Sequence, residues 1–164
     1  MQAKIISSLE KCFPDENVTQ KDAVTYASML KKERFSFQVC YDCREIVDAK
    51  KIVYFSVESA LSDAVCIYKV KYIPSMMPVY RHHFDHNYLR TEPGLYPDLL
   101  EPMADMDRLP ASNVLNALWV EVDPGEKYPA GIYPVRCVFT DEAGTRVAEV
   151  SINIEIIDAL LPPQ

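Results

Sequence analysis

The sequence predicts an all-β domain: an antiparallel β-sandwich of about eight strands with one long loop over residues 74–113. Three observations point there. Several segments alternate apolar and polar residues with period two. No stretch carries a long helical stripe. Glycine is scarce and proline frequent, 4 and 12, and six of the prolines fall between Pro74 and Pro110. Strands with one greasy and one polar face bury the first by stacking two sheets, here in an immunoglobulin- or jelly-roll-like arrangement.

In chain order, residues 3–12 form a weak strand candidate. Residues 22–30 (DAVTYASML) place Ala23, Tyr26, Ala27 and Leu30 on a helical stripe, with Thr19 as a possible N-cap and Asp22 three residues on. Phe35–Cys43 alternates cleanly: Phe35, Phe37, Val39, Tyr41 and Cys43 face one way, and Ser36, Gln38, Cys40 and Asp42 the other. Residues 51–58 and 64–73 repeat the pattern around a Ser/Asp turn. Asn116–Asp123 is a strand stopped by Pro124-Gly125. Gly131–Thr140 follows, and Pro134 predicts an edge or a bulge because it donates no ladder hydrogen bond. A glycine-bearing loop, 141–144, leads into 145–157, where Ala148, Val150, Ile152, Ile154 and Ile156 share a face.

Composition narrows the function classes. The 164 residues are 49% apolar and 25% charged, with a net charge of −7. That balance suits one globular domain spanning residues 1–164 and argues against a nucleic-acid backbone binder, which needs a basic surface. No apolar run approaches a membrane span, and the N-terminus lacks a signal-peptide pattern. Five cysteines cannot all pair within one chain, so a reducing, cytoplasmic setting is expected, with secretion left open if a leader was removed.

The 74–113 segment holds the candidate chemistry. It contains all three histidines (His82, His83, His86) and Tyr80, Tyr88 and Tyr96. His82, Asp85 and His86 are a weak metal alternative, because zinc needs three or four converging donors and no second ligand block exists. No metal and no cofactor is therefore expected. Cys40 and Cys43 fall on opposite faces of their strand, which disfavours a shared ion or disulfide. Trp119, between Leu118 and Val120, is expected in the core rather than on a sugar platform. Acidic pairs such as Asp98 with Glu101, or Asp105 with Asp107, are expected to be solvated loop charge. Tyr96-Pro97-Asp98 fixes an extended turn whose carboxylate is suited to capping backbone N–H groups.

Four motifs, in order, carry a family resemblance. They are Lys32-Glu33-Arg34-Phe35-Ser36-Phe37-Gln38; Gly94-Leu95-Tyr96-Pro97-Asp98-Leu99-Leu100; Asn116-Ala117-Leu118-Trp119-Val120-Glu121-Val122 followed by Ala130-Gly131-Ile132-Tyr133; and Asp158-Ala159-Leu160-Leu161-Pro162. Together they resemble the N-terminal β-sandwich of glycoside hydrolase family 123-like proteins, otherwise uncharacterised glycoside hydrolase domain-containing proteins. Lys32 stands where that pattern has asparagine or glycine, and Pro134 where it has a small residue. The resemblance implies that residues 22–30 are a strand, against their local pattern. It also implies an N-acetylhexosaminidase-type catalytic barrel beyond Gln164, where an Asp–Glu pair works with the substrate's acetamido group. A sandwich plus a barrel of about 250 residues exceeds this chain, so no catalytic residue carries over. Either the domain is excised from a larger protein or the barrel is absent.

The expected function is therefore a non-catalytic accessory, scaffolding domain whose partner is a C-terminal barrel of the same polypeptide. The alternative is an independent carbohydrate-binding module. A stand-alone hydrolase or metal enzyme ranks last. Substrate- or barrel-facing candidates are Tyr80, His82, His83, Tyr96 and Asp98. An apolar docking patch is expected around Met76, Met77, Met103 and Met106.

Overall fold

The computed structural model describes residues 1–44, 52–77, 79, 87–104 and 107–161. Among them the strands are β1 (Gln2–Ser7), β2 (Tyr26–Lys31), β3 (Phe35–Asp42), β4 (Ile52–Glu58), β5 (Val65–Ser75), β6 (Gly94–Pro102), β7 (Leu109–Pro110), β8 (Asn116–Val122), β9 (Gly131–Thr140) and β10 (Arg146–Leu160). Two stacked sheets result. The first has the order β1-β3-β8-β5-β6, and the second β2-β10-β9-β4, with the two-residue β7 beside β4. All pairings are antiparallel except β2 with β10, which is parallel. The chain is an all-β sandwich, as its alternation predicts.

The inward faces are the ones the period-two pattern selects. Phe37, Val39, Leu118, Val120 and Val122 of the first sheet meet Phe55, Val135, Cys137, Phe139, Ile152, Ile154 and Ile156 of the second. The Phe139 ring sits at its centre, with centroids 5.0 Å from Tyr41 and 4.9 Å from Phe55. Ser151 and Asn153, the intervening residues of β10, are exposed.

Four expectations need correction. Gln38, Cys40 and Asp42 do not face water; they are buried. The segment between β1 and β2 folds back over the outer face of the first sheet and builds a second, smaller core of Ile6, Cys12, Val18, Cys40, Leu115 and Ala117. Gln38 fastens that cover, since its Nε2 donates to the Glu10 carbonyl at 2.7 Å and reaches those of Ser7 and Ser8 at 3.3 and 3.4 Å. The Tyr72 hydroxyl donates to the Leu115 carbonyl from the other side.

The long loop is also shorter than expected, because β6 lies within it and pairs with β5. The register shifts between Lys71 and Tyr72, opposite Asp98. Pro97 and Pro102 are tolerated because β6 is an edge strand. The 22–30 segment is extended only from Tyr26 onward. There its strand buries Met29 and pairs with β10, and the helical turn sits earlier, at Val18–Gln20. Pairing with a distant strand overrides the weak local helical preference. Lastly, β9 is an interior strand, yet Pro134 lies beyond the end of its β4 ladder and pairs only with Asn153 of β10.

The link from β2 to β3 turns at Lys32. Lys32 has φ of 65°, the one positive value outside glycine among the described residues. The turn is closed by Glu33, whose N–H donates to the Leu30 carbonyl at 3.1 Å and whose Oε2 accepts the Leu30 N–H at 2.6 Å. Glycine and asparagine enter the left-handed region more readily than lysine, which pays about 1–2 kcal/mol there. Lys32→Gly is expected to stabilise the domain by about 0.5 kcal/mol, after the greater unfolded-state freedom of glycine and loss of an exposed ion pair to Glu126. Equilibrium urea unfolding checks this.

All five cysteines are free, and only Cys66 is exposed. Cys43 lies in the main core and Cys40 in the second, so the two face apart as their spacing predicts. Cys12 and Cys40 share a thiol hydrogen bond. That bond, then burial, pushes Cys12 well above the ordinary thiol range. Burial raises Cys137 to about 12. Reaction needs the thiolate and access to it. A thiol reagent is therefore expected to label Cys66 rapidly in native protein and the other four only as the domain opens, read by peptide mass mapping.

Candidate functional site

Strand alternation puts Leu118, Val120 and Val122 inward, so Ala117, Trp119 and Glu121 point outward from β8. Pairing extends this outer face sideways in two rows. Gln38, Trp119, Tyr68 and Pro102 form one, and Cys40, Ala117, Val70 and Leu100 the next. Cover from the 8–21 segment hides the β3 side and stops short of Trp119. The indole is left half-buried on the floor of a groove of about 150 Å³, between residues 8–11 and the bulge of β6.

Lys11, Pro97 and Asp98 form a sill between this groove and a wider depression of about 510 Å³. Lys11 Nζ donates to the Pro97 carbonyl at 3.2 Å and lies 3.9 Å from an Asp98 oxygen. Beyond the sill the Arg90 guanidinium lies 3.7 Å from the Phe13 ring centroid and pairs with Asp15 at 2.7 Å. The Arg90 hydrogen bond holds the Asp15 carboxyl below the usual carboxylate range. Tyr96 meets Phe13 edge-on at 5.6 Å, and its hydroxyl donates to the Glu92 carbonyl at 2.7 Å. Tyr88 borders the depression and is exposed.

Two of the expected site residues, Tyr96 and Asp98, thus meet in one depression. Tyr96 is occupied as a brace, whereas Asp98 is 73% exposed at its side chain and faces Lys11 rather than a backbone N–H. Tyr80, His82 and His83, like Asp85 and His86 of the metal alternative, lie outside the described residues. Among those described, no group of three or more His, Cys, Asp or Glu side chains could hold an ion, and no helix is long and apolar enough to cross a membrane. Glu101 lies 4.0 Å from Lys69 and 3.5 Å from Lys71, Asp107 pairs with Lys69 at 2.6 Å, and Asp105 lies outside the described residues. Met76 and Met77 are exposed, but Met103 packs on the main core, and Met106 lies outside the described residues.

Trp119 is the residue that sequence reasoning misplaced. Its apolar neighbours suggest a core position, yet they are what excludes it: flanking residues that face inward force Trp119 outward. A larger cleft of about 680 Å³ opens between the sheets beside Phe55 and Ile67, but no charged side chain lines it. The Trp119 groove instead joins an aromatic face to carboxylates and an ammonium, which is binding chemistry.

No family model matches the sequence, and no curated protein matches it. Among solved structures, a family 123 glycoside hydrolase from Clostridium perfringens superposes with a TM-score of 0.66 at 11% identity. The chain resembles part of that enzyme's fold. The match covers 98% of this chain and 28% of the hydrolase. A macrocyclisation catalyst of alchivemycin A biosynthesis matches at a TM-score of 0.43 and 9% identity, over 99% of this chain and 90% of its own. The CooA pilin subunit of enterotoxigenic Escherichia coli reaches 0.38 at 10% identity, over 99% and 100%. Both scores are too low to bear on this fold.

Proposed function

We propose that the chain is a non-catalytic accessory β-sandwich of a larger carbohydrate-active enzyme, of the glycoside hydrolase 123 type, bracing a catalytic barrel that follows Gln164. One observation carries this reading: nearly the whole chain superposes on little more than a quarter of the Clostridium perfringens hydrolase, with a TM-score of 0.66. The sequence motifs agree with it. Exposed Ile73, Met76, Met77, Leu89, Leu95 and Leu99, at the β5–β6 end, suit burial against another domain. A second reading, an independent carbohydrate-binding module, is favoured by the half-buried indole of Trp119 on the floor of a surface groove.

Hydrolysis of a chromogenic N-acetyl-β-hexosaminide tests the proposal. The 164-residue chain is expected to be inactive, and the polypeptide extended through its downstream coding sequence active. Turnover by the chain alone, or a downstream sequence with no barrel, overturns it.

A further inference from the structure

We propose that the groove on the outer face of the first sheet is a saccharide-binding site, with one neutral sugar ring stacked on Trp119 and its hydroxyls held by Asp98 and Glu10. The ligand class rests on the carbohydrate-active reading above; the place and the residues come from the groove itself.

Three features single it out. The indole is flat, partly accessible and firmly based, since β8 is an interior strand with β3 on one side and β5 on the other. Its register neighbour Tyr68 shares its face. The indole N–H has no hydrogen-bond partner among the described residues, so one donor stands ready beside an apolar surface, whereas Tyr68 lines the cleft between the sheets. A pyranose presents the complementary pattern, apolar C–H groups on one face and hydroxyls around the rim. Val70 and Leu100 widen the apolar floor, and Glu10 and Asp98 line the wall, where carboxylates can accept hydrogen bonds from hydroxyls.

Charge selects a neutral sugar over an anionic one. The bordering cations are already matched, Lys11 by Asp98 and the Pro97 carbonyl, and Arg90 by Asp15. The chain as a whole carries −7. The groove continues over the sill into the 510 Å³ depression, which lies within the roughly 300–1,000 Å³ typical of small-molecule sites and leaves space for a second ring near Tyr88.

Trp119 is the only tryptophan, so its fluorescence reports the groove directly. Titrating the 164-residue chain with N,N′-diacetylchitobiose, and separately with cellobiose, is expected to give a saturable fluorescence change with at least one of them. By calorimetry, Trp119→Ala and Leu100→Arg should each weaken binding at least tenfold, and Asp98→Ala at least threefold. Leu100 and Asp98 are exposed, so those two variants carry the test if Trp119→Ala does not fold. Response to the acetamido disaccharide alone supports the site and defines its preference. Silence with both sugars, or binding that all three variants leave intact, overturns it. Neither result touches the accessory reading, which stands or falls on hydrolysis by the extended polypeptide.

Discussion

Phe139→Ala is expected to destabilise the domain by about 3–5 kcal/mol, the range for truncating a fully buried phenylalanine. Phe139 lies at 0% exposure between the rings of Tyr41 and Phe55, one from each sheet. It pairs directly with Phe55 across the β4–β9 ladder. Removing it empties the place where the two sheets touch through aromatic side chains, and β-sheet backbones do not collapse readily into such a void. Domains of this size are stable by about 5–15 kcal/mol, so the loss is a large fraction of the whole. Thermal unfolding should show a fall in midpoint of roughly 6–20 °C, and urea unfolding a lower midpoint concentration. A loss below about 1 kcal/mol would mean that the ring is not packed as described.

Gln38→Leu is expected to cost about 2 kcal/mol for a different reason. Leucine fits the space of the amide but donates nothing. The carbonyl of Glu10 then loses its 2.7 Å partner, and those of Ser7 and Ser8 lose their longer contacts. Stranded carbonyls under cover cost about 1–3 kcal/mol in all. The effect should be local as well as global. Hydrogen exchange is expected to accelerate over residues 8–21, which Gln38 pins to the sheet, and to change little at β9 and β10. Uniform acceleration across both sheets would show that the cover has no separate stability.

The main sandwich was legible because its strands obey one rule. In β3, β8, β9 and β10 a buried side chain recurs every second residue, and the inward residues of β10 are those its alternation selects. What alternation cannot show is a second layer. Gln38 and Cys40 read as a wet face because nothing in residues 8–21 is periodic; that segment covers the sheet through a few apolar anchors, Cys12, Phe13 and Val18. β6 escaped for the opposite reason. Its prolines and its bulge at Asp98 break the pattern, and it is a strand only because β5 supplies a partner. The candidate site was half legible. Tyr96 and Asp98 stood out as a rigid motif, while the Trp119 groove depends on a cover whose path only the folded chain defines.

The parallel contact between β2 and β10 has a consequence for biosynthesis. The second sheet holds β2 against β10, the last strand of this sandwich, so that β2 must wait, unpaired, while more than a hundred residues are added. Such long-range closure makes for slow acquisition of structure. During that wait, β2 and the open flank of β9 are sticky templates for neighbouring nascent chains. A ribosome-tethered fragment ending before Arg146 should accordingly remain protease-sensitive and recruit chaperones, and protection should arrive abruptly once β10 clears the exit tunnel.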